Sequence, residues 1–273
     1  MAGTTEFVAA SFNVHAGVDG WGRPFDWLGP CRELDADVLV VEEAWEPDEG
    51  PGMAATIADD LGYTRFEHSF ARGRIALPDP AADGRWMRSL DWRSVNHSIY
   101  LDSERPLSSS VTSSPRFASA VPGSWNVAVL TRLPVVRTEA IVLGRLWRDR
   151  ARREALVVFV EVDGREVAIV GTHMTHITYG SPLHYRRLAR ALDRVVGDTP
   201  ALLAGDMNLW GPPVRAFLPD WHRAVKGRTW PAWNPHSQID HILVRGDVEV
   251  GAAAVLPAAG SDHRPVRAEL ILH

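Results

Sequence analysis

The stretch Leu202-Leu203-Ala204-Gly205-Asp206-Met207-Asn208 decides how the rest of the chain is interpreted. A short apolar run ends there in a glycine, and an acid and an amide follow two residues apart. Interpreted as a buried strand over 201–204, the run stops at Gly205, so that Asp206 and Asn208 emerge together at the strand's end. An ordinary β-turn is the alternative, because glycine, aspartate and asparagine all favour turns.

The composition indicates a soluble globular protein, since 45% of the 273 residues are hydrophobic and 23% are charged. We expect one α/β or sandwich-like domain over 1–273, and a monomer. The single cysteine, Cys31, excludes an internal disulfide framework and is compatible with a reducing cytosol. No segment has the features of a signal peptide or the length of a bilayer span, so the expected location is cytoplasmic, without a membrane span. The net charge of -5 argues against a protein that coats nucleic acid by electrostatics alone.

Two strands near the N-terminus also end in polar side chains. The apolar run 7–14 predicts a buried strand that ends near Asn13, and 37–43 predicts a β-branched strand that finishes in Glu42 and Glu43. Because side chains alternate along a strand, only one of these glutamates is expected to share the face of Asn13. The alternation alone does not choose between them.

A hairpin signal follows in the middle of the chain. Asp163 and Gly164 join two apolar runs, 156–162 and 166–171, which predicts adjacent antiparallel strands and argues against an all-parallel barrel. The second strand leads into His173, which we interpret as a functional residue. His176 follows shortly afterwards, and we expect it to lie at the surface.

The C-terminal part repeats the pattern of polar groups beside apolar strands. Asp240 is predicted inside an apolar strand over 238–244, and the polar loop that holds Asp262 and His263 leads into the last strand, 266–272. Helices are predicted over 27–36, 53–61 and 182–196, the last with Ser181 as its N-cap. Between 64 and 123 we predict little regular structure apart from the run 98–101, and an exposed loop over 108–115.

The polar residues at these strand ends form one shared site if the strands lie side by side. Their donors are rich in oxygen and lack thiolate, which favours Mg²⁺ or Mn²⁺ over structural zinc. Zinc held by histidines is the alternative, although no pair has the helical His-x-x-x-His spacing of a metalloprotease. The histidines available for it are His15, His173, His176, His241 and His263.

Six of these motifs, in this order, resemble the endonuclease/exonuclease/phosphatase family. The motifs are Asn13 after the first strand, Asp-Val-Leu-Val-Val-Glu-Glu at 37–43, Gly-Thr-His at 171–173, Gly-Asp-Met-Asn at 205–208, Ile-Asp-His at 239–241 and Ser-Asp-His-Arg-Pro-Val at 261–266. Any one of them is weak evidence, but six in order span nearly the whole chain and are specific. Asn126 lies in the segment that resembles the family's middle motif.

The resemblance implies a four-layer α/β sandwich, in which two mixed β-sheets pack face to face with helices outside. It also implies metal-dependent hydrolysis of a phosphoester. In the family's strand motif a glutamine precedes the metal-binding glutamate, so the resemblance assigns the metal to Glu43 and places Glu42 at the glutamine position. Asn13 and Asp262 match positions that bind the metal or lie beside it.

The resemblance also assigns the catalytic roles. His263 matches the histidine that activates water, and Asp240 matches the carboxylate that orients this histidine. Asp206 and Asn208 match the pair that positions the nucleophile and the phosphate, and His173 matches a residue that contacts the phosphate. These roles agree with what phosphodiester hydrolysis needs, namely a base, a cation and oriented donors.

The substrate is less well defined by the sequence. A nuclease acting on DNA or RNA is the first hypothesis, and a phosphatase or phosphodiesterase for a smaller substrate, such as an inositol phosphate or a phospholipid head group, is the alternative. A catalytically inactive binding module is disfavoured, because every matched catalytic position is filled. His15 stands where an Asn-x-Asp pattern would place an acid, which argues against an abasic-site repair activity.

Two variable regions are expected to line the site, namely 66–125 and 210–233, both rich in tryptophan and arginine. Tryptophans there are able to stack on bases. A cluster of arginines either grips a polyanion or forms a solvated flank of a hairpin, and we favour the second interpretation. The cluster consists of Arg145, Arg148, Arg150, Arg152 and Arg153.

Overall fold

The computed structural model describes residues 5–20, 23–75, 98–100, 121–147, 149 and 151–273, which form two mixed β-sheets and short helices. The first sheet has seven described strands in the order β12-β13-β1-β2-β5-β3-β4. Their bounds are β1 Thr5–Asn13, β2 Val38–Pro47, β3 Thr64–Ile75, β4 Ser98–Tyr100, β5 Val121–Thr131, β12 Val248–Val255 and β13 Val266–Leu272. Only β1 and β2 pair in parallel among these described strands.

The second sheet has six described strands in the order β10-β11-β9-β8-β7-β6. Their bounds are β6 Val135–Gly144, β7 Arg153–Val162, β8 Arg165–His173, β9 Ala201–Asp206, β10 His222–Arg223 and β11 Asp240–Arg245. The predicted hairpin at 163–164 joins β7 to β8 in antiparallel register, and β8 pairs with β9 in parallel.

Apolar side chains from both sheets pack against each other to form the main core. Val40 and Val129 of the first sheet meet Ile169 and Leu202 of the second sheet in one continuous buried cluster. Gly171 lies where the sheets come closest, because a Cβ at this position would lie 2.5 Å from a methyl group of Val129. Burial of apolar surface between the sheets is the largest favourable contribution to folding.

Helices cover the outer faces of both sheets. Helices α1 (Leu28–Glu33) and α2 (Met53–Leu61) bury Cys31 and Ile57 against the first sheet. Helices α3 (Ser181–Val195) and α4 (Gly211–Phe217) pack on the second sheet through a separate buried cluster that contains Leu188. The order helix, sheet, sheet, helix confirms the expected four-layer sandwich.

Several predicted boundaries differ from the structure. Helix α1 is shorter than the predicted 27–36, and α3 begins after Gly180, so Ser181 is its first residue and not its N-cap. The prediction of little structure after residue 64 is wrong for β3, which runs over twelve residues paired with β5. The predicted loop 108–115 lies outside the described residues. The part of the chain that the structure describes contains no helix with the length and hydropathy of a membrane span.

Candidate active site

The polar strand ends meet at one edge of the sandwich. In the first sheet Asn13 lies opposite Glu42, and in the second sheet Asp206 lies between His173 and Asp240. The ends of parallel neighbours lie at the same edge of a sheet, and β11 begins where β9 ends because this pair is antiparallel. The register therefore brings together side chains that are up to 227 residues apart in the sequence, since Asn13 and Asp240 both reach this edge.

Gly205 permits this arrangement because it has no side chain. Its φ is +144°, and a Cβ at this position would lie 1.9 Å from the carbonyl oxygen of Thr172 on the neighbouring strand. Strand β9 does not stop at Gly205 as predicted; it continues through Asp206. The glycine therefore marks a place inside the strand where a neighbouring backbone comes close, which is a common reason for glycine in strands.

The carboxylate of Asp206 is the centre of the site. It is 2% exposed and accepts hydrogen bonds from the side chain of Asn13 (3.2 Å) and the backbone N–H of Asn208 (2.8 Å). Its Oδ2 also lies 3.5 Å from Nε2 of His173 and 3.9 Å from Nε2 of His263. Burial and the negative charges of nearby carboxylates outweigh the attraction of His263 and raise the pKa of Asp206 to about 7.

His263 and Asp240 form a hydrogen-bonded pair. Nδ1 of His263 lies 2.9 Å and 3.1 Å from the two carboxylate oxygens of Asp240, and both side chains are buried. Burial opposes the charged imidazolium, but Asp240, Asp262 and Asp206 outweigh burial and hold the pKa of His263 well above its usual value. Asp240 is the first residue of β11 and does not lie inside the strand as predicted.

A β-bulge in β2 brings both glutamates to the site region. The register of β2 shifts between Val41 and Ala44, and Glu43 adopts a φ of +55°. Asn13 donates a hydrogen bond to Oε1 of Glu43 (3.3 Å), while Ser11 donates one to Oε1 of Glu42 (2.8 Å). The prediction that only one of these glutamates shares the face of Asn13 is therefore wrong, because a bulge adds one residue and changes the direction of the side chains that follow it.

Glu42 is fully buried beneath the site. Its Oε2 has no hydrogen-bond partner among the described residues. Burial, and after it the charge of Asp240, raises the pKa of Glu42 well above its usual value. A carboxyl group at this position therefore keeps its proton to a higher pH than an exposed glutamate does, and the family motif has an uncharged glutamine here.

Asp262 is held by two residues whose contact with this carboxylate was not predicted. The indole N–H of Trp230 donates to Oδ2 of Asp262 (3.2 Å), and Nδ1 of His15 lies 3.4 Å from Oδ1. Burial acts to raise the pKa of Asp262, but His15 and His263 lower it overall. The turn after Asn13, where His15 has a φ of +44°, brings His15 to this carboxylate. No periodicity signals such a turn.

His173 and Asn208, to both of which the resemblance assigns a role at the phosphate, are in contact with each other. The side-chain amide of Asn208 lies 3.1 Å from Nε2 of His173 and donates to the carbonyl of Met174 (3.0 Å). Burial, with the positive charge of Arg153, lowers the pKa of His173 well below its usual value. Phe70 packs edge-on against the imidazole ring, with 5.2 Å between ring centroids. His173 is therefore a neutral, rigidly held group.

A buried polar network supports the end of β8. Arg153 forms an ion pair with Asp149 (2.9 Å), donates to the carbonyl of His173 (3.2 Å) and lies over the ring of Phe70. Thr175 links Asp149 to His184, with distances of 2.7 Å to each. The prediction of a solvated hairpin flank is wrong for Arg153; Arg148 and Arg150 lie outside the described residues.

When the pH falls from about 7 to about 5, the unmodified protein is expected to lose about 2 kcal/mol more unfolding free energy than the variant His184→Gln. Burial lowers the pKa of His184 to about 4, whereas the unfolded chain binds the proton near pH 6.5. The contribution of His184 to stability is therefore complete above about pH 6.5 and is lost as the pH falls toward about 4. Urea unfolding at both pH values measures the difference. The exposed edge-strand variant His222→Gln is the matched control, and an equal change in both variants would refute the assignment.

Three loops surround these residues and enclose a cavity of about 290 Å³. Its floor contains Glu43, Asp206, Asn208, His173 and His263, so the two groups on which the proposed chemistry depends most, Glu43 and His263, open into the same space. Its walls contain His176, Ile177, Leu209, Trp210, Trp230, His236, Ser237 and Ile239. His176 is exposed as expected, but it also lines the cavity.

The expected lining regions are therefore only partly described. Trp210 and Trp230 belong to the predicted loop 210–233, while 76–97 and 101–120, within the other predicted region, lie outside the described residues. Asn126 donates its side-chain hydrogen bond to Glu67 (2.9 Å). In the described part of the chain, Asn126 makes no hydrogen bond with a residue of the cavity floor.

Three buried side chains of the site lie close enough together to hold one metal ion. Ligand atoms of Asp206, Asp240 and His263 all lie within 4.8 Å of one another, and all three residues are buried. The Oδ1 atom of Asn13 accepts from the backbone N–H of His15 (3.0 Å), so its amide presents the NH₂ group to the carboxylates. The predicted ligand roles of Asn13, Glu43 and Asp262 stay predictions.

Two mixed sheets that bring carboxylates, amides and a His–Asp pair to one cavity define a hydrolase of the phosphoesterase sandwich class. The chain belongs to the endonuclease/exonuclease/phosphatase family, whose model matches residues 10–263. The resemblance seen in the sequence is thereby confirmed. Members of the family hydrolyse phosphoesters and generally use divalent metals.

Three other proteins resemble this chain in sequence or in structure. A curated relative, a UPF0294 protein of Vibrio cholerae, is 30% identical over 114 residues, which are 38% of this chain and 40% of the relative. A family protein from Bacteroides thetaiotaomicron has a similar structure, with a TM-score of 0.64, 18% identity and full coverage of both chains. The human Nocturnin catalytic domain with bound sulfate gives a TM-score of 0.60 at 14% identity, over 98% of this chain and 95% of that domain. These two structural likenesses show the fold alone.

Proposed function

We propose that the protein is a divalent-metal-dependent phosphodiesterase in which His263 activates the attacking water. The observation that carries the proposal is the Asp240–His263 pair, with an Nδ1 to oxygen distance of 2.9 Å, whose imidazole opens into the same cavity as Glu43. A histidine fixed by a carboxylate at Nδ1 offers Nε2 as a base toward the cavity. Phosphodiester hydrolysis needs such a base, because water alone is a poor nucleophile.

The donor chemistry of the site fits Mg²⁺ or Mn²⁺. Carboxylates outnumber positive groups on the cavity floor, and oxygen donors of this kind are the ligands that these hard cations prefer. Glu43 would hold the ion with Asp262 beside it, and the NH₂ group of Asn13 would orient the oxygens of Glu43 and Asp206. When bound, a divalent cation would balance the negative charge of the carboxylates, which otherwise favours the protonated form of His263, and it would neutralise charge on the phosphate and the leaving oxygen.

The remaining residues bind and orient the substrate. Asn208 and neutral His173 contact the phosphate group, and Asp206 orients the attacking water beside Nε2 of His263. Asp240 holds the proton of His263 at Nδ1, so that Nε2 is free to accept one from water. All of these groups are buried except the half-buried Asn208, and all are held by neighbours, which reduces the cost of orienting the groups during the reaction.

The charge of the cavity walls bears on the choice between the two substrate hypotheses. Among the residues that the structure describes, the lining contains no lysine or arginine. A nuclease grips neighbouring phosphates with such cations. For the described lining, this observation favours the second hypothesis, a phosphodiesterase for a small substrate, over the nuclease that we placed first from the sequence. The arginines of 76–97 and 101–120, in the other region predicted to line the site, lie outside the described residues.

Chelation of divalent metal is expected to abolish hydrolysis, and Glu43→Gln is expected to raise the Mg²⁺ concentration for half-maximal rate by about tenfold or more, because an amide replaces an anionic ligand. The assay compares plasmid, single-stranded DNA, RNA and bis(p-nitrophenyl) phosphate, each with Mg²⁺, with Mn²⁺ and with a chelator. The matched control is Glu161→Gln, an exposed residue of β7. Undiminished hydrolysis in the chelator would contradict the proposed metal dependence, and no hydrolysis of any substrate would contradict the function.

A further inference from the structure

The walls of the cavity differ sharply in chemistry from its floor. The floor is made of carboxylates, amides and histidines, whereas Ile177, Leu209, Trp210 and Trp230 give the walls a largely apolar surface. Trp210 is 49% exposed and Ile177 is 38% exposed. Large apolar side chains that stay exposed at the mouth of a polar site commonly mark a place where a ligand packs.

The size of the cavity limits what these walls enclose. Its volume of about 290 Å³ is at the small end of the range for small-molecule sites. Such a cavity holds one phosphate and one attached group of moderate size. As bounded by the described residues, it does not enclose several nucleotides or a sugar that carries several phosphates.

Two described arginines near the walls each donate a hydrogen bond to another part of the protein. Nε of Arg264, the residue after His263, donates to the carbonyl of Ala232 (2.8 Å). Arg223, which lies beside the first residue of α4, donates to the side chain of Gln238 (3.4 Å). With no lysine or arginine in the described lining, a second phosphate has no cationic partner there.

We propose that the cavity takes a small phosphodiester with a single phosphate and one flat, uncharged aromatic ester group, which packs against Trp210; this inference rests on the phosphodiesterase function proposed above. The indole of Trp210 offers an exposed aromatic face next to the site where Asn208 and His173 receive the phosphate. Aromatic faces attract flat rings with little regard to the substituents of the ring. For a strongly hydrated polyol such as inositol, the described walls offer polar side chains only from His176, His236 and Ser237.

The binding test uses two phosphonates, because their P–C bond is not hydrolysed. Calorimetry with Mg²⁺ is expected to show that phenylphosphonate binds at least about tenfold tighter than methylphosphonate, as stacking on an indole predicts. In Trp210→Ala the ratio of the two affinities should fall to about one, and in Trp210→Phe most of the preference should remain. The matched control is Trp147→Ala, since Trp147 is 81% exposed and does not line the cavity.

Hydrolysis of bis(p-nitrophenyl) phosphate separates the inference from the function on which it rests. Hydrolysis without a preference for phenylphosphonate leaves the function standing and overturns the aromatic subsite. A preference that Trp210→Ala removes, without hydrolysis under any metal condition, supports the subsite and overturns the function. Tighter binding of a single-stranded oligonucleotide than of phenylphosphonate, with a steep salt dependence, would assign the cavity to a polymer and overturn the inference.

Discussion

Replacing Asp240 by asparagine is expected to lower kcat for bis(p-nitrophenyl) phosphate by about a thousandfold while the fold stays intact. Asparagine has nearly the same shape, but its NH₂ group, when it faces Nδ1 of His263, donates to that nitrogen. The ring proton then moves to Nε2, which is no longer able to accept a proton from water. The same exchange in the triads of serine proteases lowers kcat by about ten-thousandfold for this reason.

Two comparisons make this prediction specific to the Asp240–His263 pair. Asp247→Asn changes an exposed aspartate in the turn after β11 and should leave kcat and the unfolding free energy at their original values. The double variant Asp240→Asn, His263→Gln should be no slower than His263→Gln alone, because residues that act as a unit lose their effect together. A kcat for Asp240→Asn within about tenfold of the unmodified protein would remove Asp240 from the mechanism.

The sequence predicted the parts of the site that lie at the ends of regular strands. In β1, β8 and β9 an apolar run is followed by one polar residue, and parallel neighbours then bring Asn13, His173 and Asp206 to one edge. Such patterns are local, so periodicity is enough to find them. The two-sheet architecture needed the family resemblance as well, because strand order is a property of the whole chain.

The rest depended on interactions that have no local pattern. The bulge that directs Glu43 follows from the pairing of β2 with β5, and β3 forms because β5 pairs with it. Strand β12 was missed because most of its residues are exposed and small, so no alternation is visible. Arg153 was placed in solvent because arginines usually lie there; its burial depends on Asp149, four residues earlier.

Replacing Asp206 by asparagine is expected to lower kcat by at least about a hundredfold and, in the metal-free protein, to raise the unfolding free energy by about 1 kcal/mol at about pH 8. The loss of rate follows because Asp206 is the acceptor toward which Asn13, His173 and the backbone of Asn208 all point, beside Nε2 of His263. An amide in this place offers only one oxygen acceptor and turns a donor toward groups that are donors themselves.

The gain in stability has a separate electrostatic cause. Glu43 and Asp240 lie close enough to Asp206 for their charges to repel it in the buried floor of the cavity. Without a cation, removal of one carboxylate relieves this repulsion and the cost of burying the charge.

Urea unfolding in a chelator measures the free energy, and saturating Mg²⁺ should remove or reverse the gain, because the carboxylate is then part of the charge that binds the cation. Asp193→Asn, at an exposed carboxylate of α3, should change neither quantity. A variant that stays fully active would show that catalysis does not need the negative charge of Asp206. A variant that is less stable than the unmodified protein in the chelator would show that this charge does not destabilise the metal-free fold.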